Sequence, residues 1–358
     1  MKTGKTLQEL ALELTRQNHS KRDFLIDSSL ISMQIPKNEI PNLVLGKNGS
    51  AEEFGINRLG HAQLSSKLGI PKKYYDHLLG NHPELLAENV NELSLREPQK
   101  MLVRTLDGNA RAFLSDRYRT IDNYDLANAI LPPLVELKKH QDLEIASSEV
   151  TETKLYIKVL FPTITGEIKQ GDIVRAGLVI SNSEVGQGSL RVERLVEILR
   201  CLNGLILPAS LRKYHVGRKQ QFAELDEAVE VFSDRTKQLD DMALFSKVID
   251  VVKAAFNIEE FQKQIEAFKD TANNKVEKEP VEFIEISAKK YGLAQDEKND
   301  ALKHYLTYGD FSQYGLMNAI TSAAQEESVG YDRSIELEHI GANVLDMDPS
   351  QWETLATA

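Results

Sequence analysis

A single cysteine in 358 residues leaves Cys201 without an intramolecular disulfide partner and excludes a four-cysteine zinc site. Set within LRCLNGLI, it reads as a buried, inert thiol. No apolar run approaches the roughly 18 residues of a membrane span. The start, MKTGKTLQELALELTRQ, is helical in period without the apolar core of a signal peptide, so a cytoplasmic protein is expected. Also missing are a GxxxxGK[ST] loop, a GxGxxG followed by a ribose-binding acid, and HExxH; His61, His77, His82, His140, His215, His304 and His339 are scattered. The chain has no repeat of fixed period and no low-complexity tract. No cofactor, metal or catalytic residue is therefore assigned.

What is present is a split in charge hidden by the net value of -11. Residues 1–220 hold 30 Lys/Arg against 26 Asp/Glu, and residues 221–358 hold 13 against 28. Only the first part offers a surface attractive to phosphate, and the second repels it. Arg191 to Lys219 alone carries seven basic residues against two glutamates.

Leu7, Leu10 and Leu14 predict a helix over Thr6 to Gln17, either a docking arm or a core helix, followed by a polar stretch to about Ser50. Short helices are expected from Leu59 to Leu95, with Pro71 and Pro83 at helix starts. Two apolar runs flank Asp107-Gly108-Asn109 and predict a hairpin, which feeds a helix from Asn123 or Tyr124 that is broken or kinked at Pro132-Pro133. TKLYIKVLF alternates Leu155, Ile157 and Val159 with Tyr156 and Lys158, a strand with one buried and one wet or ligand-bound face. IVRAGLVISNSE follows as a second strand. Ser189 then opens a predicted helix through Leu202, with Leu195, Leu199 and Leu202 on one side and Asn203-Gly204 as its stop. Beyond Phe222 the pattern is largely helical, with an exposed connector around Thr271 to Pro280.

Three segments carry candidate functional residues. In FLSDRYRTIDN (113–123), Arg117 and Arg119 suit phosphate contacts and Tyr118 suits base stacking, the combination that holds single-stranded nucleic acid without reading sequence. A solvated turn with Asp116 and Asp122 pairing those arginines is the plainer account. In ISNSEVGQGSLRVERL (180–195), Asn182, Ser183, Gly186 and Gly188 form a candidate anion-binding turn before the predicted helix, with Arg191 and Arg194 at its start. A tight connection needing glycine for space explains it equally. In LRKYHVGRKQQF (211–222), Arg212, Lys213, Arg218 and Lys219 surround Tyr214 and suit a nucleic-acid backbone, or plain solvated surface.

The ordered motifs LGIPKKYYDHLLGNHPELLAENVNELSL, RAFLSDRYRTIDNYDLANAI, VISNSEVGQGSLRVERLVEILRCLNGLI, RKYHVG and GLMNAITSAAQEE, within about residues 54–330, resemble the phage/plasmid-like protein family, a domain of unknown function. The resemblance implies a protein carried by phages and plasmids near replication or recombination functions. Its motifs fall on Ser115 to Arg119, Asn182, Ser183, Arg194, Cys201, Asn203, Gly204, His215, Gly217, Asn318 and Ala319. Where the family often has an NSxDG-like turn, this chain has NSEVGQG, so the resemblance does not carry an ion-binding role over to that turn. The architecture is also similar to phage single-strand annealing proteins, an analogy of fold alone.

The expected fold is α+β: an antiparallel β-hairpin sheet flanked by helices, with a mainly helical C-terminal region. The expected division is an N-terminal helix and variable arm (1–53), an α+β core with the basic segments (54–220), an acidic helical region (221–330) and an acidic polar tail (331–358). The expected function is single-stranded DNA binding in a homo-oligomer, extending to strand annealing in recombination or replication. Two alternatives stay open. One is an acidic protein-interaction module or inhibitor of a host defence enzyme; the other is a metal-dependent phosphoryl-transfer enzyme, if Asp116, Asp122 or Glu184 converges with a histidine or an ion.

Overall fold

The computed structural model describes residues 1–36, 40–46, 51–140, 142–213, 234–255 and 258–357. Its first layer starts with α1 (Leu7–Ser20), β1 (Arg22–Asp27), β2 (Ile31–Gln34), β3 (Asn42–Leu45) and β4 (Glu52–Ile56). It continues through α2 (Arg58–Lys67), α3 (Lys72–Asn81), α4 (Pro83–Arg96), β5 (Lys100–Leu106) and β6 (Asn109–Ser115). α5 (Asn123–His140) then leads into β7 (Glu144–Val150), β8 (Leu155–Glu167), β9 (Ile173–Asn182), β10 (Leu190–Ile198) and β11 (Asn203–Lys213). Helices follow: α6 (Asp234–Ala254), α7 (Ile258–Asn273), α8 (Pro280–Tyr291), α9 (Gln295–Tyr308), α10 (Gln313–Ala323), α11 (Tyr331–Leu345) and α12 (Pro349–Thr357). The α+β class is as expected, with two sheets flanked by helices and a mostly helical C-terminal half. Among the described residues no helix is long and apolar enough to cross a membrane.

Local chemistry explains the parts the sequence predicts. Thr6 and Glu9 close a reciprocal capping box on α1, which buries Leu10 and Leu14 and is a core helix. Pro71 precedes α3, and Pro83 opens α4, where a missing N–H costs nothing. Asp107 and Gly108 both take positive φ, 51° and 74°, so the turn matches the twist of the β5–β6 hairpin. α5 runs continuously through Pro132 and Pro133 rather than breaking there.

The first sheet has the order β1-β5-β6-β4-β3-β2, with only β4–β6 parallel. Three of its strands, β1 to β3, lie in the stretch expected to be a polar arm. One face packs on α2, α3 and α4 through Leu64, Tyr75, Leu78, Leu86 and Val90. Within that core His61 Nδ1 lies 2.9 Å from the Tyr75 hydroxyl. Burial, with a smaller push from Lys72, lowers the His61 pKa to about 4 despite Asp76. Because the unfolded histidine titrates near 6.5, the unfolded state binds more protons between these values, and stability falls as pH drops from about 6.5 to about 4. This one group accounts for up to about 3 kcal/mol. Urea midpoints of wild type and His61→Gln from pH 7.5 to 4 test this: the variant should show the shallower pH slope, and equal slopes would refute the assignment.

The second sheet is a five-stranded antiparallel meander, β11-β10-β9-β8-β7. Residues 190–202, predicted as a helix, instead supply β10 and the turn into β11, and Leu202 takes φ 51° in that turn. The helical spacing of Leu195, Leu199 and Leu202 misleads because both faces of β10 are covered, which erases the period of two. Leu155, Ile157, Val159, Val192 and Val196 face the large core shared with α5 and the C-terminal helices. Tyr156, Leu160 and Leu195 face a smaller cluster with Ile335 of α11. The alternate face of β8 is therefore buried rather than wet. Lys158 on it is fully enclosed, with Nζ bonding both Glu338 carboxylate oxygens at 2.9 and 2.7 Å.

All residues of α10 are buried, so it is the axle of the C-terminal half. Residues 331–357, expected as a polar tail, form α11 and α12 and bury Leu337, Glu338, Val344 and Trp352.

Candidate nucleic-acid interface

Two of the three segments singled out in the sequence meet between the sheets. Residues 116–122 connect β6 to α5, and residues 183–189 connect β9 to β10. The β5–β6 face that carries Leu102, Ala112 and Leu114 packs on Val185 of the second connection. Tyr118 joins that cluster, and its hydroxyl donates to the Ser183 carbonyl at 3.0 Å. Burial pushes its pKa up to about 12. Tyr118 thus clamps two segments together, with its ring half-buried and its hydroxyl engaged.

Below the clamp lies a buried ionic joint that sequence reasoning missed. Arg104, fully enclosed, bonds Asp23 through Nε at 2.9 Å, the Glu184 carbonyl through Nη1 at 3.0 Å and Asp122 through Nη2 at 2.7 Å. Arg111 pairs with the Glu184 carboxylate, which also accepts from the Asn123 amide at the start of α5. Lys21 reaches the other Asp122 oxygen. Burial works against ionising Asp122, but Arg104 and Lys21 outweigh it and hold its carboxyl below the ordinary value. The only sequence signal was a basic residue inside each apolar strand of the hairpin, with Ala112 opposite Arg104 to leave it room.

The 182–189 turn differs from expectation. It leads into a strand, so no helix N-terminus faces it and that reason for anion binding is lost. The Ser183 hydroxyl is engaged, donating to Thr153 O at 2.8 Å and accepting from the Gln187 backbone amide at 2.9 Å, whereas the buried Asn182 Oδ1 has no partner. Asn182 Nδ2 bonds Ile121 O and Asn123 Oδ1, both at 2.8 Å. Gly186 has φ 76°, a backbone conformation that favours glycine, and a Cβ there would lie 2.7 Å from the terminal methyl of Leu114. Gly188 sits 3.2 Å from the Lys154 side chain by the same measure.

The cations are arranged by strand geometry. Arg191 and Arg212 are direct cross-strand partners, and their Nε atoms approach the same Ser189 hydroxyl at 3.2 and 3.4 Å. Arg191 also lies 3.6 Å from Glu193. Arg194, three residues on, points to the opposite face, 3.8 Å from Glu260. Lys213 lies opposite Leu190 and lowers the Asp240 pKa from a distance. Arg117 is exposed at the tip of its turn, whereas Arg119 pairs with Asp240 at 2.5 Å and Asp241 at 2.7 Å. Tyr214, Arg218 and Lys219 lie outside the described residues.

The motif residues near the other end of β10 form a separate joint. The Asn203 amide bonds Thr321 Oγ1 at 2.6 Å and reaches Asn318 O and Ser322 Oγ. A cavity of about 70 Å³ beside it is walled by Asp172, Arg200, Cys201, Tyr308 and Asn318, among others. Burial raises the Cys201 pKa, the wrong direction for a nucleophile. Among the described residues, no three His, Cys, Asp or Glu side chains are grouped to hold a metal. Comparison with protein-family models, curated proteins and solved structures finds no match.

Proposed function

We propose that the chain binds single-stranded nucleic acid along the rim of the 183–189 connection. One observation carries this reading: the positive charges of Arg191 and Arg212 are held opposite one another on Ser189, at the end of the same connection that seats Tyr118 and its neighbours Arg117 and Arg119. A phosphate set between them would take a charge-assisted bond from each guanidinium. Lys154 beside Gly188 extends the basic rim. Strand annealing is the further step, in which several copies hold one strand extended and add weak contacts. Phosphoryl transfer draws no support, because Asp122 and Glu184 are enclosed and already neutralised by arginine and lysine.

Fluorescence-anisotropy titration with labelled single-stranded and duplex oligonucleotides at several salt concentrations tests the proposal. Binding should favour the single strand and weaken with salt. Arg191→Ala with Arg212→Ala should weaken it about tenfold or more and flatten the salt dependence by about 0.7 log–log units per lost contact. Absence of binding at micromolar protein and low salt rejects the proposal.

A further inference from the structure

We infer that the first half of α6 occupies the Arg119 end of the proposed interface in place of a nucleic-acid strand, so that a bound strand and α6 compete for Arg119. This rests on the reading above and adds its regulation.

The guanidinium of Arg119 is held by two successive carboxylates, one on each terminal nitrogen: Asp240 on Nη1 and Asp241 on Nη2. That is the fork geometry with which arginine takes phosphate. Lys213, at the end of β11, adds attraction to the same Asp240. Arg194 shares the Lys213 face of the second sheet, opposite Arg191 and Arg212, and lies 3.8 Å from Glu260 of α7.

The anchoring of α6 is uneven. From Leu244 onward it buries Leu244, Phe245, Val248, Ile249 and Val252 in the main core. Over Asp234 to Ala243 none of the described side chains is buried, and Leu239 and Met242 are 56% and 64% exposed. Among the described side chains, the first half is tied by the Asp240 and Asp241 ion pairs rather than by buried apolar groups. Its release leaves the core intact, and a partly exposed ion pair is a weak tether. A strand that supplies phosphate to Arg119 removes that tether, and fraying of Asp234 to Ala243 opens the interface.

The test uses the full chain and a fluorescein-labelled single-stranded DNA oligonucleotide. Asp240→Asn with Asp241→Asn should bind about three- to tenfold more tightly than wild type, with the log–log salt slope steeper by about 0.7, one further phosphate contact. Adding Arg119→Gln to that variant should abolish the gain. Glu84→Gln with Glu88→Gln on α4 removes the same charge from exposed positions elsewhere and should leave affinity within about twofold, the size of a screened long-range effect. Amide hydrogen exchange gives a second readout: residues 234–243 should lose protection on oligonucleotide binding while 244–254 keep theirs. If wild type binds DNA and the α6 variant binds equally, or if 234–243 stays protected, competition is overturned and the binding reading survives. If neither protein binds, the binding reading itself fails and competition falls with it.

Discussion

Lys158→Met should lower stability by about 3–5 kcal/mol, because it leaves the Glu338 carboxylate enclosed without the ammonium that bonds both its oxygens. The reciprocal Glu338→Leu should cost a similar amount. Both side chains are fully buried, and the lysine touches both carboxylate oxygens. The Tyr331 ring lies 5.8 Å from the ammonium, and Gln325 Nε2 is 3.2 Å from Glu338 Oε1. These weak contacts cannot replace the partner charge. The double variant Lys158→Met with Glu338→Leu should recover most of the loss, since desolvating the pair cancels much of its attraction and apolar side chains avoid both terms. Chemical denaturation of the three variants decides the matter. Single variants within about 1 kcal/mol of wild type would mean that water reaches the pair.

Arg104→Met should be comparably severe, by about 3–5 kcal/mol, and differ in kind. Its guanidinium bonds β1 through Asp23, the β9–β10 connection through the Glu184 carbonyl, and the approach to α5 through Asp122. Loss of one side chain therefore leaves two carboxylates and a carbonyl with fewer donors, and loosens the first sheet from the second. The sole tryptophan, Trp352, lies in the core of the C-terminal half and reports on that half. In wild type, tryptophan fluorescence and far-ultraviolet circular dichroism should follow one transition. In Arg104→Met the circular dichroism should move first, as the N-terminal layer melts ahead of the tryptophan core. Coincident transitions in the variant would show that the sheets are held together by something other than this joint. Arg104→Lys should rescue little, since one ammonium cannot span three acceptors in fixed directions.

What was legible in the sequence was local. The Asp107-Gly108 turn, the Pro71 and Pro83 helix starts and the capped α1 each depend on chemistry within a few residues, and each is present as expected. The strands β1 to β3 were missed because segments of four to six residues carry too few side chains to display a period. β10 was misread for a different reason. Its neighbours cover both faces, so LRVERLVEI lacks alternation and mimics a helix. That error also scrambled the candidate site: residues three apart share a face on a helix but oppose one another on a strand, which separates Arg194 from Arg191. The acids that meet the basic residues were beyond reach for a third reason. Asp240 and Asp241 lie more than a hundred residues from Arg119, and their pairing depends on topology alone.

The separation of 180 residues from Lys158 to Glu338 also sets a clock on synthesis. At about 5–20 residues per second, on the order of ten to forty seconds pass after the lysine is made before its carboxylate exists. During that interval the meander cannot close its second face around a lone charge, so that side of the sheet must stay hydrated. The first layer has every strand available by Ser115, and the face that carries Arg104 and Arg111 waits a shorter interval, until Glu184 is made. A nascent chain therefore completes its N-terminal layer well before the sheet held open at Lys158, and the open face is where a ribosome-associated chaperone would find Tyr156, Leu160 and Leu195 still uncovered.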